Sequence, residues 1–363
     1  MAEIWSSPYW PRFTFDATAL APLLAAASEA VGEVRGLHAG LTDDERDEII
    51  LREFTREAVH SFAIEGVELD PSQIQASIIA SMANEALTQP NRRADDVITV
   101  MRDARSGAGG LTAERLQSWH ATLFAKAEVE DLGQWRSFDM VIAKSNIAGR
   151  ESEVLYRAVP AARVAYEMEE FLNWLAQDDS PPAIRAALAH LWFESIHPFS
   201  DGNGRIGRAL IEYVFAQTAL LPFSLSRQIE ADKQGYYDAL QAGRREGQGG
   251  IDATPFVGWF LEALLAGVDA AHAEARFLAA RNRFFLRHES TLNARQGVVL
   301  RKWWSLGPES VSEGLTARLY VKLGSIATAT ATRDLTALEE AGVLEGVGAG
   351  RAKVYLAGWP ADR

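Results

Sequence analysis

The chain has 363 residues, 48% hydrophobic and 23% charged, which is enough for a packed core and more than one domain. A net charge of −13 argues against nucleic acid or an acidic membrane as a global partner. The absence of cysteine excludes a disulfide framework, as expected of a cytoplasmic protein. The first residues, MAEIWSSPYWPRFTFD, have neither a basic n-region nor an apolar h-region, so no signal peptide is expected. No apolar run approaches a membrane span, so no membrane partner is expected either.

In chain order, the first 35 residues, with Trp5, Pro8, Trp10 and Pro11, read as a short extension. Apolar spacing then predicts helices over Asp43–Glu65, Ser72–Glu85 and Ala94–Arg105. In the first of these, Ile49, Phe54, Val59 and Phe62 are among the apolar positions, and Gly66 supplies the stop. Ser106 to Gly110 is the clearest glycine break. Leu111–Phe124 is the next helix, and its His120 reads as structural. Val141, Ile142, Val154, Leu155 and Tyr156 suit short strands around a loop at Ser145–Ser152. Pro182–Ile196 is a helix rich in alanine and leucine, with prolines at its start. His197-Pro198 ends it, because the residue before a proline is pushed out of the α region. Asp201–Gly204 is a turn, and a helix over Arg205–Leu220 follows. A further helix covers about Val268 to Ser290. Leu315–Ile326, Thr328–Ala341, Gly342-Val-Leu and Lys353-Val-Tyr-Leu read as helix–turn–helix–wing and resemble a winged helix-turn-helix domain. The expected fold class is mainly α. It divides into an N-terminal helical region (1–110), a core (111–266), a linker helix (267–295) and a winged domain (296–363).

The chemistry concentrates in His197–Arg208, HPFSDGNGRIGR. A glycine turn at a helix N-terminus offers free N–H groups and the positive end of a dipole, which attract phosphate. Gly202 and Gly204 let backbone approach an anion, and Asn203 is expected to donate to a phosphate oxygen. Arg205 and Arg208, three apart, share a side of the first turn and supply fork donors for a polyphosphate. Asp201, the loop's carboxylate, is the natural Mg²⁺ ligand beside substrate phosphates, with Mn²⁺ an alternative. His197 can take a proton from an attacking hydroxyl near neutral pH. Phe199 is expected to anchor the loop in the core. The segment lacks the GxxxxGK[ST] spacing of a P-loop, and it has no second His or Cys at zinc-ligand spacing.

These residues resemble the signature of the Fic (Fic/Doc) family, HPFx[D/E]GNGRxxR. His197, Pro198, Phe199, Asp201, Gly202, Asn203, Gly204, Arg205 and Arg208 match every defined position. The resemblance implies a Fic-fold helical bundle with a β-hairpin flap. It implies transfer of AMP from ATP to a protein Ser, Thr or Tyr hydroxyl, with His197 as base, Asp201 on the metal and the arginines on the β- and γ-phosphates. Ile206 and Gly207 fall inside this nucleotide-binding segment. Gly133-Gln134-Trp135-Arg136, Phe138 to Ala143 and Val154 to Pro160 resemble the flap, so Val154, Leu155, Tyr156 and Arg157 are implied to border the nucleotide. Tyr236 and Tyr237 resemble the paired tyrosines of the adenine pocket. Seven residues beyond, Arg244 stands where many relatives carry Asn.

Ser61 to Gly66, SFAIEG, resembles the family's inhibitory motif, [S/T]xxxE[G/N]. Ser61 and Glu65 are four apart and share a helix face. If that helix packs on the core, Glu65 can pair with Arg208, which the γ-phosphate needs. An enzyme held off by its own N-terminal helix is therefore expected. Family members that transfer phosphate, UMP or phosphocholine leave the transferred group open. Self-modification and a homodimer are further possibilities. A DNA-binding regulator is the rival reading: Thr328, Thr330, Thr332 and Arg333 open the would-be recognition helix. Yet residues 296–363 hold eight Lys/Arg against seven Asp/Glu, far from a basic stripe.

Overall fold

The computed structural model describes residues 3–39, 41–83, 92–143, 154–350 and 353–358. It comprises two compact units, residues 1–269 and 270–363.

In the first unit, β1 (Phe13–Thr14) leads into helices α1 (Ala17–Ala39), α2 (Asp43–Ala63), α3 (Pro71–Ala83), α4 (Arg92–Arg105) and α5 (Ala113–Leu123). The hairpin β2 (Val141–Ala143) and β3 (Val154–Arg157) precedes α6 (Ala161–Gln177), α7 (Pro182–Ile196), α8 (Asn203–Ala216), α9 (Leu225–Ala231) and α10 (Lys233–Ala242). Short strands β4 (Arg245–Glu246) and β5 (Ile251–Asp252) lead into α11 (Thr254–His288), which continues past residue 269.

Helix α7 is mostly apolar, and it is buried almost throughout from Ala183 to Ile196. A helix of that composition is stable only inside a core. Helix α8 packs along it, and Gly207 makes the close approach possible. A Cβ there would stand 3.0 Å from the His190 ring and 3.1 Å from Glu194 Oε1. Phe54, Ala58 and Phe62 of α2 join Ile74, Ile78, Val97, Ile98 and Met101 in a core shared by α2, α3 and α4. Helix α2 is also pinned by its carboxylates. Glu53 accepts from the Ser224 N–H at 2.9 Å, and Glu57 accepts from the Ser226 N–H at 3.0 Å. Both cap the N-terminus of α9, where anions complement the helix dipole.

The N-terminal segment does more than extend the chain. β1 pairs in parallel with β5, and β5 pairs antiparallel with β4. Ile4, Trp5, Trp10 and Phe13 pack with Tyr156 and Ile142 of the β2–β3 hairpin. That hairpin pairs Val141 with Arg157 and Ile142 with Tyr156, and a register shift follows Ile142. The loop expected at Ser145–Ser152 lies outside the described residues.

Helix α11 begins well before the predicted Val268. Gly267 does not break it, because its bare Cα packs against the Phe223 ring. By length and composition, α1 and the stretch Thr254–Thr291 are apolar enough to cross a membrane, each with mean hydropathy 1.2. This corrects the expectation that no run approaches a span. Half of the Thr254–Thr291 window is buried inside the protein, and much of the hydropathy of α1 comes from alanine.

The second unit contains α12 (Ala294–Trp304), α13 (Pro308–Glu313), β6 (Leu315–Thr316), α14 (Ala317–Gly324), α15 (Thr328–Glu340), β7 (Glu345–Val347) and β8 (Val354–Leu356). The strands form a sheet in the order β6-β8-β7. Its core includes Trp303, Trp304, Tyr320, Leu335 and Tyr355. Arg295 holds Asp334 of α15 with two hydrogen bonds, at 2.8 and 2.7 Å.

Candidate active site

The site starts at the end of α7. His197 caps that helix in the left-handed region, φ 54° and ψ 62°, where a residue with a Cβ rarely sits. Such strain costs about 1–3 kcal/mol and persists only where neighbours enforce it. The buried Arg136 is the enforcer. Its guanidinium donates to His197 O at 2.8 Å, to Phe138 O at 2.7 Å, to Ile196 O at 3.3 Å and to Val159 O. Its own N–H donates to Pro198 O at 2.9 Å.

The loop that follows is closed from inside. Phe199 is fully buried and stacks on His120, with centroids 4.4 Å apart and planes 3° apart. His120 accepts the Gly133 N–H at Nδ1 (2.9 Å). Burial pushes its pKa down to about 4, so it stays neutral and structural, as expected. Asn203 departs from expectation. Its Oδ1 accepts from Phe199 N at 2.9 Å and its Nδ2 donates to Phe199 O at 2.8 Å, with the side chain 2% exposed. That amide clamps the loop, so the Asn203 side chain is not free to donate to an anion.

Gly202, at φ 77°, turns the chain into α8, where a Cβ would meet the Phe124 ring at 2.5 Å. The first N–H groups of α8 have no helical acceptors. Arg205 lies over the Phe124 ring, 4.5 Å from its centroid, and reaches Asp201 Oδ1 at 3.2 Å. Asp201 is largely exposed. One exposed carboxylate beside a phosphate cradle is a donor set that Mg²⁺ accepts, since Mg²⁺ takes its remaining ligands from phosphates and water. Among the described residues, no group of three or more His, Cys, Asp or Glu side chains could hold a metal.

Arg208 is buried and already engaged. Its Nε donates to Ser61 Oγ at 3.0 Å, and its Nη2 donates to Ser61 O at 2.6 Å and to Glu65 Oε1 at 2.9 Å. Its Nη1 is buried with no partner. The Glu65 carboxylate lies over Gly204, so close that a Cβ there would collide with it. A carboxylate thus stands over the α8 N-terminus. Gly66, at φ 74°, stops α2 and sets this geometry: Gly66 N bonds Ala63 O and Val67 N bonds Phe62 O. Lys233 at the start of α10 grips Ile64 O.

His197 has a partner that the motif does not contain. His197 Nδ1 lies 3.4 Å from Glu194 Oε2. Burial alone would raise the Glu194 carboxyl, but the His197 ring, His190 and Arg244 outweigh it and hold the pKa at about 2. Glu194 and His190 are buried polar groups in the otherwise apolar stretch from Ala186 to Ile196, and that contrast was the sequence signal for them.

The other residues expected near a nucleotide differ in burial. Ile206 is fully buried, and Gly207 is a packing position between α7 and α8. Tyr156 is buried, donates to Ser195 O at 2.8 Å and lies under the Arg244 guanidinium. Arg244 also donates to Ser195 Oγ at 2.9 Å. The Tyr236 hydroxyl meets His190 Nε2 at 2.7 Å, which leaves the half-buried Tyr237 nearer the mouth. Val154 is exposed on the hairpin and Leu155 is half-buried, while Arg157 lies 3.7 Å from Glu3.

Residues 110–215 match the model of the Fic/DOC family. They are a Fic/DOC family domain. The Fic domain thus contains the whole loop, Arg136, Glu194 and both arginines. Residues 4–83 match a domain of unknown function (DUF4172), so the Glu65–Arg208 contact joins the two matched segments. The protein adenylyltransferase Fic of Nematostella vectensis is 26% identical over 246 residues, 64% of this chain and 50% of that one. A probable protein adenylyltransferase of Aquifex aeolicus is 25% identical over 179 residues, 48% of this chain and 53% of the other. The chain therefore spans about half the length of these relatives. A Fic family protein from Desulfovibrio desulfuricans G20 superimposes with TM-score 0.56 at 22% identity, over 98% of this chain and 100% of that one, which shows the shared fold.

Proposed function

We propose that this chain transfers AMP from ATP to a protein Ser, Thr or Tyr hydroxyl, and that Glu65 holds the reaction off. The observation that carries this reading is the Glu65 carboxylate on Arg208, over the N-terminus of α8. The place is built for an anion and is filled by the protein's own.

With Glu65 withdrawn, the cradle has donors for a triphosphate: the first N–H groups of α8, Arg205, and the released fork of Arg208. His197 takes the proton of the acceptor hydroxyl. The freed oxygen forms a bond to the α-phosphorus of ATP, and the bond from that phosphorus to the pyrophosphate oxygen breaks. Arg205, Arg208 and the helix N-terminus neutralise the charge on the departing pyrophosphate. This is positioning plus electrostatic stabilisation. A divalent ion held by Asp201 would add charge neutralisation on the phosphates. The acceptor hydroxyl belongs to another protein or to this chain.

Intact-mass measurement tests the reading. The wild type, Glu65→Gly and Glu65→Gly/His197→Ala are each incubated with Mg²⁺, a protein extract and one NTP at a time. AMP on protein in the Glu65→Gly reaction, absent from the His197→Ala double variant, is the expected result. Transfer from UTP, CTP or GTP in place of ATP would reassign the donor, and no transfer from any NTP would end the proposal.

A further inference from the structure

The buried carboxylate of Glu194 has no structural duty that the fold explains. Its Oε1 has no hydrogen-bond partner, although the residue is only 7% exposed. A buried charge left half unpaired costs free energy that an apolar residue at the same place in α7 would not. Among the described residues, its Oε2 has one ion-pair partner, the Nδ1 of His197 at 3.4 Å, and that Nδ1 has no hydrogen-bond partner. The left-handed turn at His197, held by Arg136, folds the ring back over the last turn of α7 and creates this approach. Gly207 leaves the room that Glu194 occupies between α7 and α8.

We propose that Glu194 is the positioning residue of the base: its carboxylate accepts the Nδ1–H of His197 and so fixes the tautomer whose Nε2 lone pair faces the acceptor hydroxyl. A carboxylate cannot donate, so it selects the ring form with the proton on Nδ1. The 3.4 Å separation shortens to a hydrogen bond as the ring gains charge, because such contacts tighten toward the transition state. Arg136 serves the same end through the backbone.

The inference rests on His197 being the base, and its test has a readout that needs no turnover. The full chain is labelled with ¹⁵N-histidine, and the His197 ring signals are assigned by their loss in His197→Ala. In the wild type with the ring neutral, Nδ1 carries the proton and Nε2 does not. In Glu194→Gln the two nitrogens move toward a tautomer mixture. In Glu194→Leu, which offers no acceptor, the preference for Nδ1–H is lost. In the Glu65→Gly background, Glu194→Gln lowers kcat on the order of 100-fold or more, with KM for ATP changed less than about threefold. An unchanged tautomer in a folded Glu194→Gln and Glu194→Leu would overturn the inference. If no variant transfers AMP, the proposed reaction fails while the tautomer result still decides the role of Glu194.

Discussion

At the scale of single residues, the site is a set of groups already committed to one another. Arg208 is bound by Ser61 and Glu65, Asn203 by Phe199, and His197 faces Glu194. The packing beneath them is equally constrained. Gly207→Ala gains helix propensity of up to about 1 kcal/mol but drives a methyl to 3.0 Å from His190 and 3.1 Å from Glu194. Overpacking of that kind costs about 1–3 kcal/mol, so a net loss of roughly 1–2 kcal/mol is expected in urea unfolding. The identities of His197, Asp201, Arg205, Arg208, Ser61 and Glu65 were legible because their chemistry is unusual at that spacing. The direction of a side chain was not. An amide in a glycine turn reads as a phosphate donor, and only the folded loop shows that Asn203 has closed on Phe199.

At the scale of elements, helix α2 is seated by Glu53, Glu57 and Ser61 at i, i+4 spacing, with Glu65 two residues past its end. Facing it, the buried Glu212 of α8 pairs with Arg105 of α4 at 2.5 Å. Burial, aided by the charge of Glu57, pushes the Glu212 carboxyl up to about 7 in spite of Arg105. A carboxyl whose folded pKa is raised binds more protons folded than unfolded. Its contribution is fully present below the unfolded pKa, near 4.5, and is lost as pH rises through about 7. Between about pH 5 and pH 8, the wild type is therefore expected to lose thermal stability relative to Glu212→Gln, which has nothing to titrate. Parallel melting curves for the two across that window would contradict the assignment. Helix bounds were legible where punctuation was strong, as in Pro182–Ile196, framed by Pro181 and His197-Pro198. The start of α11 was not legible: a helix was expected from about Val268, and the Phe223 ring that packs on the bare Cα of Gly267 lies 44 residues away in sequence. Helix α6 was readable in principle, since Val164, Met168, Phe171 and Leu175 recur at helical spacing.

At the scale of the molecule, two segments that match separate families are joined at the Glu65–Arg208 ion pair among other contacts. The N-terminal segment is built into the unit that holds the site, through α2 on α9 and through Trp5 and Trp10 on the hairpin. The nucleotide proposed above would therefore have to displace an internal contact. A ligand at about 100 times its Kd stabilises a protein by about 2.7 kcal/mol, less whatever it must displace. In a His197→Ala background, where no transfer occurs, Mg²⁺-ATP is expected to raise the melting temperature of Glu65→Gly more than that of the chain with Glu65. Equal shifts would mean that Glu65 and the triphosphate do not compete.

The initial rate of AMP incorporation, wild type against Glu65→Gly at the same Mg²⁺-ATP, tests that competition at the level of chemistry. Coupling free energies of about 1–3 kcal/mol correspond to roughly 5–150-fold. The account predicts that Glu65→Gly is faster by a factor in that range and that adding His197→Ala removes the signal. Equal rates for the wild type and Glu65→Gly would contradict it.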